Sequence, residues 1–259
     1  MKKNLRSLVL LLAALMVSTV ASAKLTTTRG DVNYDGAVDI SDVTALIGYL
    51  LNGQWPSVGP DYVDLGLPSG TMWATRNVGA VVPEDCGDYF AWGETVPKDN
   101  YTWLTYIWNT PVGSTIYLTK YNTKPENGDV DDKLELDPED DAAYVNYPNG
   151  RMPSKEQVAE LIQYCTWEWT TSLGVNGHLI TGPNGNTMFL PAAGYYASTN
   201  CSNENTEGGY WTRSLSQNGT VVTPTNAHKM RINSTTFQVN GSSRNVGNTV
   251  RAVRALQNE

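Results

Sequence analysis

The chain has 259 residues, with 18 basic residues against 26 acidic ones and a net charge of −8. This acidic balance argues against a nucleic acid or an anionic membrane surface as the main partner, because both attract positive charge. The length is sufficient for one sizeable hydrophobic core and a small additional module.

The first 23 residues have the pattern of a secretory signal peptide. Lys2, Lys3 and Arg6 form a basic start, an apolar run follows at 8–20, and Ala21–Ala23 supplies small residues for cleavage. The apolar run is too short to span a bilayer comfortably. We therefore expect cleavage after Ala23, export to the extracellular space, the cell surface or the periplasm, and no membrane span.

Residues 31–42 have the spacing of an EF-hand calcium loop. Gly36 stands at loop position 6, where the backbone must turn sharply, and the carbonyl group of Ala37 is available as the ligand at position 7. Side-chain oxygens occupy positions 1, 3, 5, 9 and 12, at Asp31, Asn33, Asp35, Asp39 and Asp42. The pattern predicts a Ca²⁺ site; the alternative is a polar turn rich in Asp and Asn.

An amphipathic helix is expected directly after this loop, and its register favours the calcium interpretation. Its apolar side chains recur with helical spacing at Val43, Leu46, Ile47, Leu50 and Leu51. Asn52–Gly53 ends the helix, and the two prolines within 54–60 indicate a stiff linker before a larger domain at 61–259.

The loop and helix resemble one repeat of a dockerin type I module. The resemblance rests on Gly30–Asn33, on Tyr49–Leu51, and on Asp42 where EF-hands usually have glutamate. It implies calcium binding and, less fully, a cohesin-type partner. Dockerins carry two repeats and a hydroxyl pair at loop positions 10 and 11, whereas this chain shows one repeat, with Ile40 and Ser41 at those positions.

The larger domain contains many short runs that are typical of strands. The best are Tyr62–Leu65, Thr71–Thr75, Asp88–Trp92, Thr187–Leu190, Gly209–Thr212, His228–Ile232 and Thr249–Val253. One firm helix is also expected, since Ser154 and Gln157 form a capping box ahead of an apolar stripe that ends at Cys165. Together these patterns predict an α+β fold.

Several motifs of this domain resemble the Fibrobacter succinogenes major paralogous domain. They are Asp61–Ala80, Gly87–Thr95, Glu139–Ala143, Arg151–Lys155, Phe189–Gly194 and Val250–Arg254. The resemblance implies a fold like that of C-type lectins and formylglycine-generating enzymes. Neither the calcium triplets of the lectins nor the paired active-site cysteines of those enzymes have a counterpart here.

The remaining reactive residues suggest no catalytic set. Cys86, Cys165 and Cys201 allow one disulfide in an undetermined pairing and one free thiol. His178 and His228 are not in metal-ligand spacing. The acidic segment 124–149 is interpreted as a solvated loop in preference to a second cation site, because no ligand spacing organises it.

We therefore expect a secreted, non-catalytic binding or adhesion protein whose ligand is a glycan or a cell-surface protein. Aromatic rings stack on sugars, and the predicted exposed aromatic loop is the candidate ligand site, with Tyr101, Trp103, Tyr106 and Trp108. The alternative is a structural component of an extracellular polysaccharide-degrading complex, docked through the half-dockerin.

Overall fold

The computed structural model describes the larger domain and four helical residues before it. The described residues are Val43, Leu46, Ile47, Leu50 and the ranges 61–111, 113, 115–147 and 149–255. The predicted signal peptide, calcium ligands and linker lie outside the described residues, as does Leu51. They therefore stay predictions.

Within the described ranges the chain forms eleven strands and two α-helices. The strands are β1 (Tyr62–Asp64), β2 (Thr71–Ala74), β3 (Thr166–Ser172), β4 (Val175–Thr181), β5 (Thr187–Pro191), β6 (Tyr195–Ala197), β7 (Asn200–Ser202), β8 (Glu207–Asn218), β9 (Val221–Asn233), β10 (Phe237–Ser243) and β11 (Val253–Ala255). The helices are α1 (Ala142–Asn146) and α2 (Lys155–Tyr164). Two short 3-10 helices lie at Pro125–Asn127 and Pro138–Asp140.

The strands form four small antiparallel sheets, and this corrects the predicted fold class. The sheets have the strand orders β1-β2-β11, β10-β9-β8, β3-β4-β5 and β6-β7. The α+β interpretation is wrong, because most regular hydrogen bonding in the described chain is between strands. The likeness to C-type lectins stays a prediction. The expectation overlooked β3, β4, β6, β7 and β10. β3, for example, contains no fully buried residue, and its two apolar side chains, Trp167 and Trp169, give only a short alternation.

The helix α2 begins with the expected capping box. The Ser154 hydroxyl accepts a hydrogen bond from the Gln157 amide at 3.2 Å, and the Gln157 side chain accepts one from the Ser154 amide at 2.9 Å. Val158 and Leu161 are fully buried, and Cys165 follows the last turn in a buried position. α2 packs as a single helix on one sheet and does not form a layer of helices.

The sheet β8–β9–β10 has two different faces. Met230 and Ile232 of β9 belong to the same buried cluster as Val158 and Leu161 of α2. Because side chains alternate along a strand, the residues at odd positions beside them point away from α2. Lys229 is one of these, and its strand partners are Trp211 on β8 and Asn240 on β10.

Candidate functional site

The four described residues of the N-terminal module are helical and present an apolar face. Val43, Ile47 and Leu50 retain 50%, 51% and 50% of their exposure, and Leu46 is half-buried. Their spacing of four and then three residues places them on one side of a helix. The expected stripe is therefore present at these positions and is not fully covered within this chain.

The aromatic loop differs from the expected exposed binding surface. Tyr101 and Tyr106 are buried, with only 2% and 1% exposure, so their predicted exposure is wrong. The Tyr106 hydroxyl donates to the Trp92 carbonyl at 2.6 Å and lies 2.8 Å from the Arg244 side chain. Because backbone and guanidinium groups satisfy the hydroxyl group, the ring can fill the core.

The two tryptophans of that loop are half-buried and pack against the same cluster. The Trp103 ring meets the Tyr106 ring edge-on, with the centroids 5.4 Å apart. The Trp108 indole donates to the Gly93 carbonyl at 2.8 Å. These contacts give both rings a structural role. Sugar binding by Trp103 or Trp108 stays a prediction.

The acidic segment is more ordered than a solvated loop, and that interpretation is wrong for its most buried members. Asp141 is fully buried and accepts a hydrogen bond from the Arg151 side chain at 2.8 Å. Asp140 is also buried, where it contacts Lys120 and Tyr121. Among the described residues, no group of three or more potential ligands is arranged to hold a metal ion.

The thiols and imidazoles of the described domain are at least partly buried, and burial shifts their pKa values. Cys86, Cys165 and Cys201 are free, so no disulfide links them. Burial raises the pKa of Cys86 and of Cys165 to about 11 and also raises the pKa of Cys201. Burial lowers the pKa of His178 and of His228, and each ring contacts a backbone carbonyl. Protonated thiols are poor nucleophiles.

A polar pocket that sequence reasoning missed lies beside β8, β9 and β10. It has a volume of ≈ 380 Å³, and its lining includes Tyr195, Glu207, Lys229, Arg231 and Asn240. Arg231 forms an ion pair with Glu207 at 2.6 Å, and the Lys229 ammonium lies 4.9 Å from the Tyr195 ring centroid. Burial lowers the pKa of Lys229 to about 8. The alternation of Lys229 and Arg231 within a predicted strand was the signal that could have indicated it.

Comparison with known proteins finds a family match in the N-terminal part of the chain. Residues 29–66 match the family model for the dockerin type I domain. No curated protein and no solved structure matches the chain. The resemblance of residues 61–254 to the Fibrobacter succinogenes major paralogous domain therefore stays a prediction.

The match covers the predicted calcium loop and its helix, and it continues past the predicted linker into β1. Across the described part of the chain, no helix is long and apolar enough to cross a membrane. Dockerin type I domains generally bind calcium and dock onto cohesins, and proteins that carry them are typically extracellular. Residues 29–66 are thus similar to a calcium-binding docking module of extracellular complexes.

Proposed function

We propose that the chain is a non-catalytic component of an extracellular complex. Its dockerin-like module attaches it to a cohesin, and its β domain contributes a ligand-binding surface. The observation that carries this proposal is the match of residues 29–66 to the dockerin type I domain. The predicted ligands Asp31 to Asp42 lie within that match, which supports calcium-dependent docking.

The exposed apolar side of the module helix supports the docking role. Val43, Ile47 and Leu50 are each about half exposed. Removing apolar surface from water contributes about 25 cal/mol per Å². If a partner covered this side of the helix, burial of its apolar surface would stabilise the complex. Apolar side chains that stay exposed to water contribute no such stabilisation.

The environments of the thiols and imidazoles of the β domain support a binding role over catalysis by these groups. The pKa of each of the three thiols is raised, and each imidazole is held by a backbone carbonyl. A nucleophile activated by a base needs a lowered pKa or a base within hydrogen-bond reach. The raised pKa values of the three thiols therefore disfavour nucleophilic catalysis by these cysteines.

The experiment measures binding of the mature chain to a panel of cohesin domains by biolayer interferometry, in calcium and then in a chelator. We expect calcium-dependent binding to at least one cohesin. The double variant Ile47→Lys/Leu50→Lys should weaken it, because two charges would enter the apolar interface. The control variant Leu104→Lys/Leu173→Lys changes two leucines that are 81% and 86% exposed in the β domain. It should bind as the unmodified chain does.

Failure of every cohesin to bind in calcium would overturn the docking role. Equal binding by both double variants would remove the helix side from the interface. Circular dichroism of each variant would separate a lost contact from a lost fold.

A further inference from the structure

The pocket on the β8–β9–β10 sheet is separate from the docking module. It lies on the side to which Lys229 points, away from the helix α2. Its volume of ≈ 380 Å³ is within the range of about 300–1,000 Å³ that is usual for small-molecule sites. A single sugar residue fits a space of this size.

The pocket is positively charged in an otherwise acidic chain. It contains two cations, Lys229 and Arg231, and one carboxylate, Glu207, which is paired with Arg231. Lys229 is only 7% exposed, and the hydrogen bond from its ammonium to the Asn248 side-chain oxygen is long at 3.3 Å. Among the described residues it has no ion pair. The Glu207 carboxylate acts on this cation only at longer range and is already paired with Arg231. A buried cation without a counter-ion in direct contact is costly, and a bound carboxylate would reduce that cost.

The backbone makes room for the Lys229 ammonium. Gly209 lies on the neighbouring strand, opposite Arg231. A Cβ atom at Gly209 would lie 3.2 Å from the Lys229 ammonium and 2.1 Å from the Asn248 side-chain oxygen. A larger residue at position 209 would therefore displace this arrangement. The ammonium thus lies close to the Gly209 backbone and to the Asn248 side chain.

The pocket also contains an aromatic ring and a hydrogen-bond acceptor. The Tyr195 ring lies beside the Lys229 ammonium, where it forms a cation–π contact. Asn240 is the strand partner of Lys229, and its side-chain oxygen is buried without a hydrogen-bond partner among the described residues. Such an acceptor is satisfied by a hydroxyl group of a ligand. The same ligand thus meets a cation and, next to it, an acceptor for a hydroxyl group.

We propose that this pocket binds a sugar that carries a carboxylate, of the uronic acid class. The sugar carboxylate accepts hydrogen bonds from Lys229 and Arg231, and a sugar hydroxyl donates to Asn240. The proposal rests on the binding role proposed above for the β domain, and it does not depend on cohesin docking.

The test is isothermal titration calorimetry of the mature chain with galacturonic acid and with galactose, its neutral counterpart. Galacturonic acid should bind at least about tenfold more tightly, because a hydrogen bond to a charged group contributes about 1.5–3 kcal/mol, and about 1.4 kcal/mol is tenfold. Lys229→Met should reduce that preference by a similar factor. The control Lys155→Met removes a lysine from the other side of the sheet and should leave the binding of galacturonic acid unchanged.

A second variant keeps the test valid if Lys229→Met fails to fold. Arg231→Gln removes the other cation at a position whose side chain is 35% exposed, and it should also weaken the binding of galacturonic acid. No binding of galacturonic acid, equal binding of both sugars, or equal binding by folded Lys229→Met would overturn the proposal. Cohesin binding of each variant should be unchanged, so failure of the pocket and failure of docking are distinguishable.

Discussion

The burial of Asp141 gives the sharpest prediction for the fold. Its carboxylate caps α1 by accepting hydrogen bonds from the Ala143 amide at 2.9 Å and the Tyr144 amide at 3.1 Å. It also accepts one from the Met152 amide at 3.0 Å and one from the Arg151 side chain at 2.8 Å. One side chain therefore joins the start of a helix to the segment that leads into α2.

The cost of Asp141→Ala is estimated from these contacts. Loss of an N-cap costs about 0.5–2 kcal/mol. An unsatisfied buried amide at Met152 adds about 1–3 kcal/mol. The ion pair adds little, because Arg151 is 33% exposed and stays solvated. We expect the free energy of unfolding to fall by about 3 kcal/mol in total.

Urea denaturation at constant m-value measures this difference. Asp141→Asn should lose less free energy of unfolding than Asp141→Ala, because the amide oxygen of asparagine can still cap α1. The matched control is Glu139→Ala, which removes a nearby carboxylate that is 69% exposed and should change stability by less than about 0.5 kcal/mol. Equal losses for Asp141→Ala and Glu139→Ala would refute the structural role of Asp141.

Three further predictions follow from burial. Tyr106→Ala should destabilise the fold by about 3–5 kcal/mol and Trp103→Ala by less, as measured by thermal melts; the reverse order would contradict the buried position of Tyr106. Thiol titration in denaturant without reductant should find three free thiols per chain, and a count of one would reveal a disulfide. Between about pH 8 and 10.5, Lys229 is protonated in the unfolded chain but largely neutral in the folded chain. The free energy of unfolding of the unmodified chain, relative to that of Lys229→Met, should therefore rise with pH across that interval. A flat difference would contradict the burial of its ammonium.

Local patterns in the sequence predict local structure more reliably than they predict long-range packing. The capping box of Ser154 and Gln157 was evident because both partners lie three residues apart. The fold class was misjudged because β3 and β10 each carry only two alternating apolar residues, and both strands gain their order from pairing with neighbouring strands.

The candidate sites also differ in whether their residues are contiguous in the sequence or brought together by the fold. The calcium loop is a contiguous pattern of twelve residues, and the comparison with the dockerin type I domain covers it. The aromatic loop was misjudged because Tyr106 meets Arg244, which lies far away in the sequence. The pocket was missed because it joins residues from four strands, and only the fold brings Tyr195 to Lys229.

Calcium titration of the chain without its predicted signal peptide, followed by cohesin binding, tests the central claim most directly. We predict one calcium ion per chain and docking only when it is bound. The double variant Asp31→Ala/Asp35→Ala should lose both, whereas the control Glu126→Ala/Glu139→Ala, which removes the same charge from the β domain, should retain both. Equal calcium uptake and equal docking by the two double variants would contradict the account, because the loop at residues 31–42 would then not control attachment.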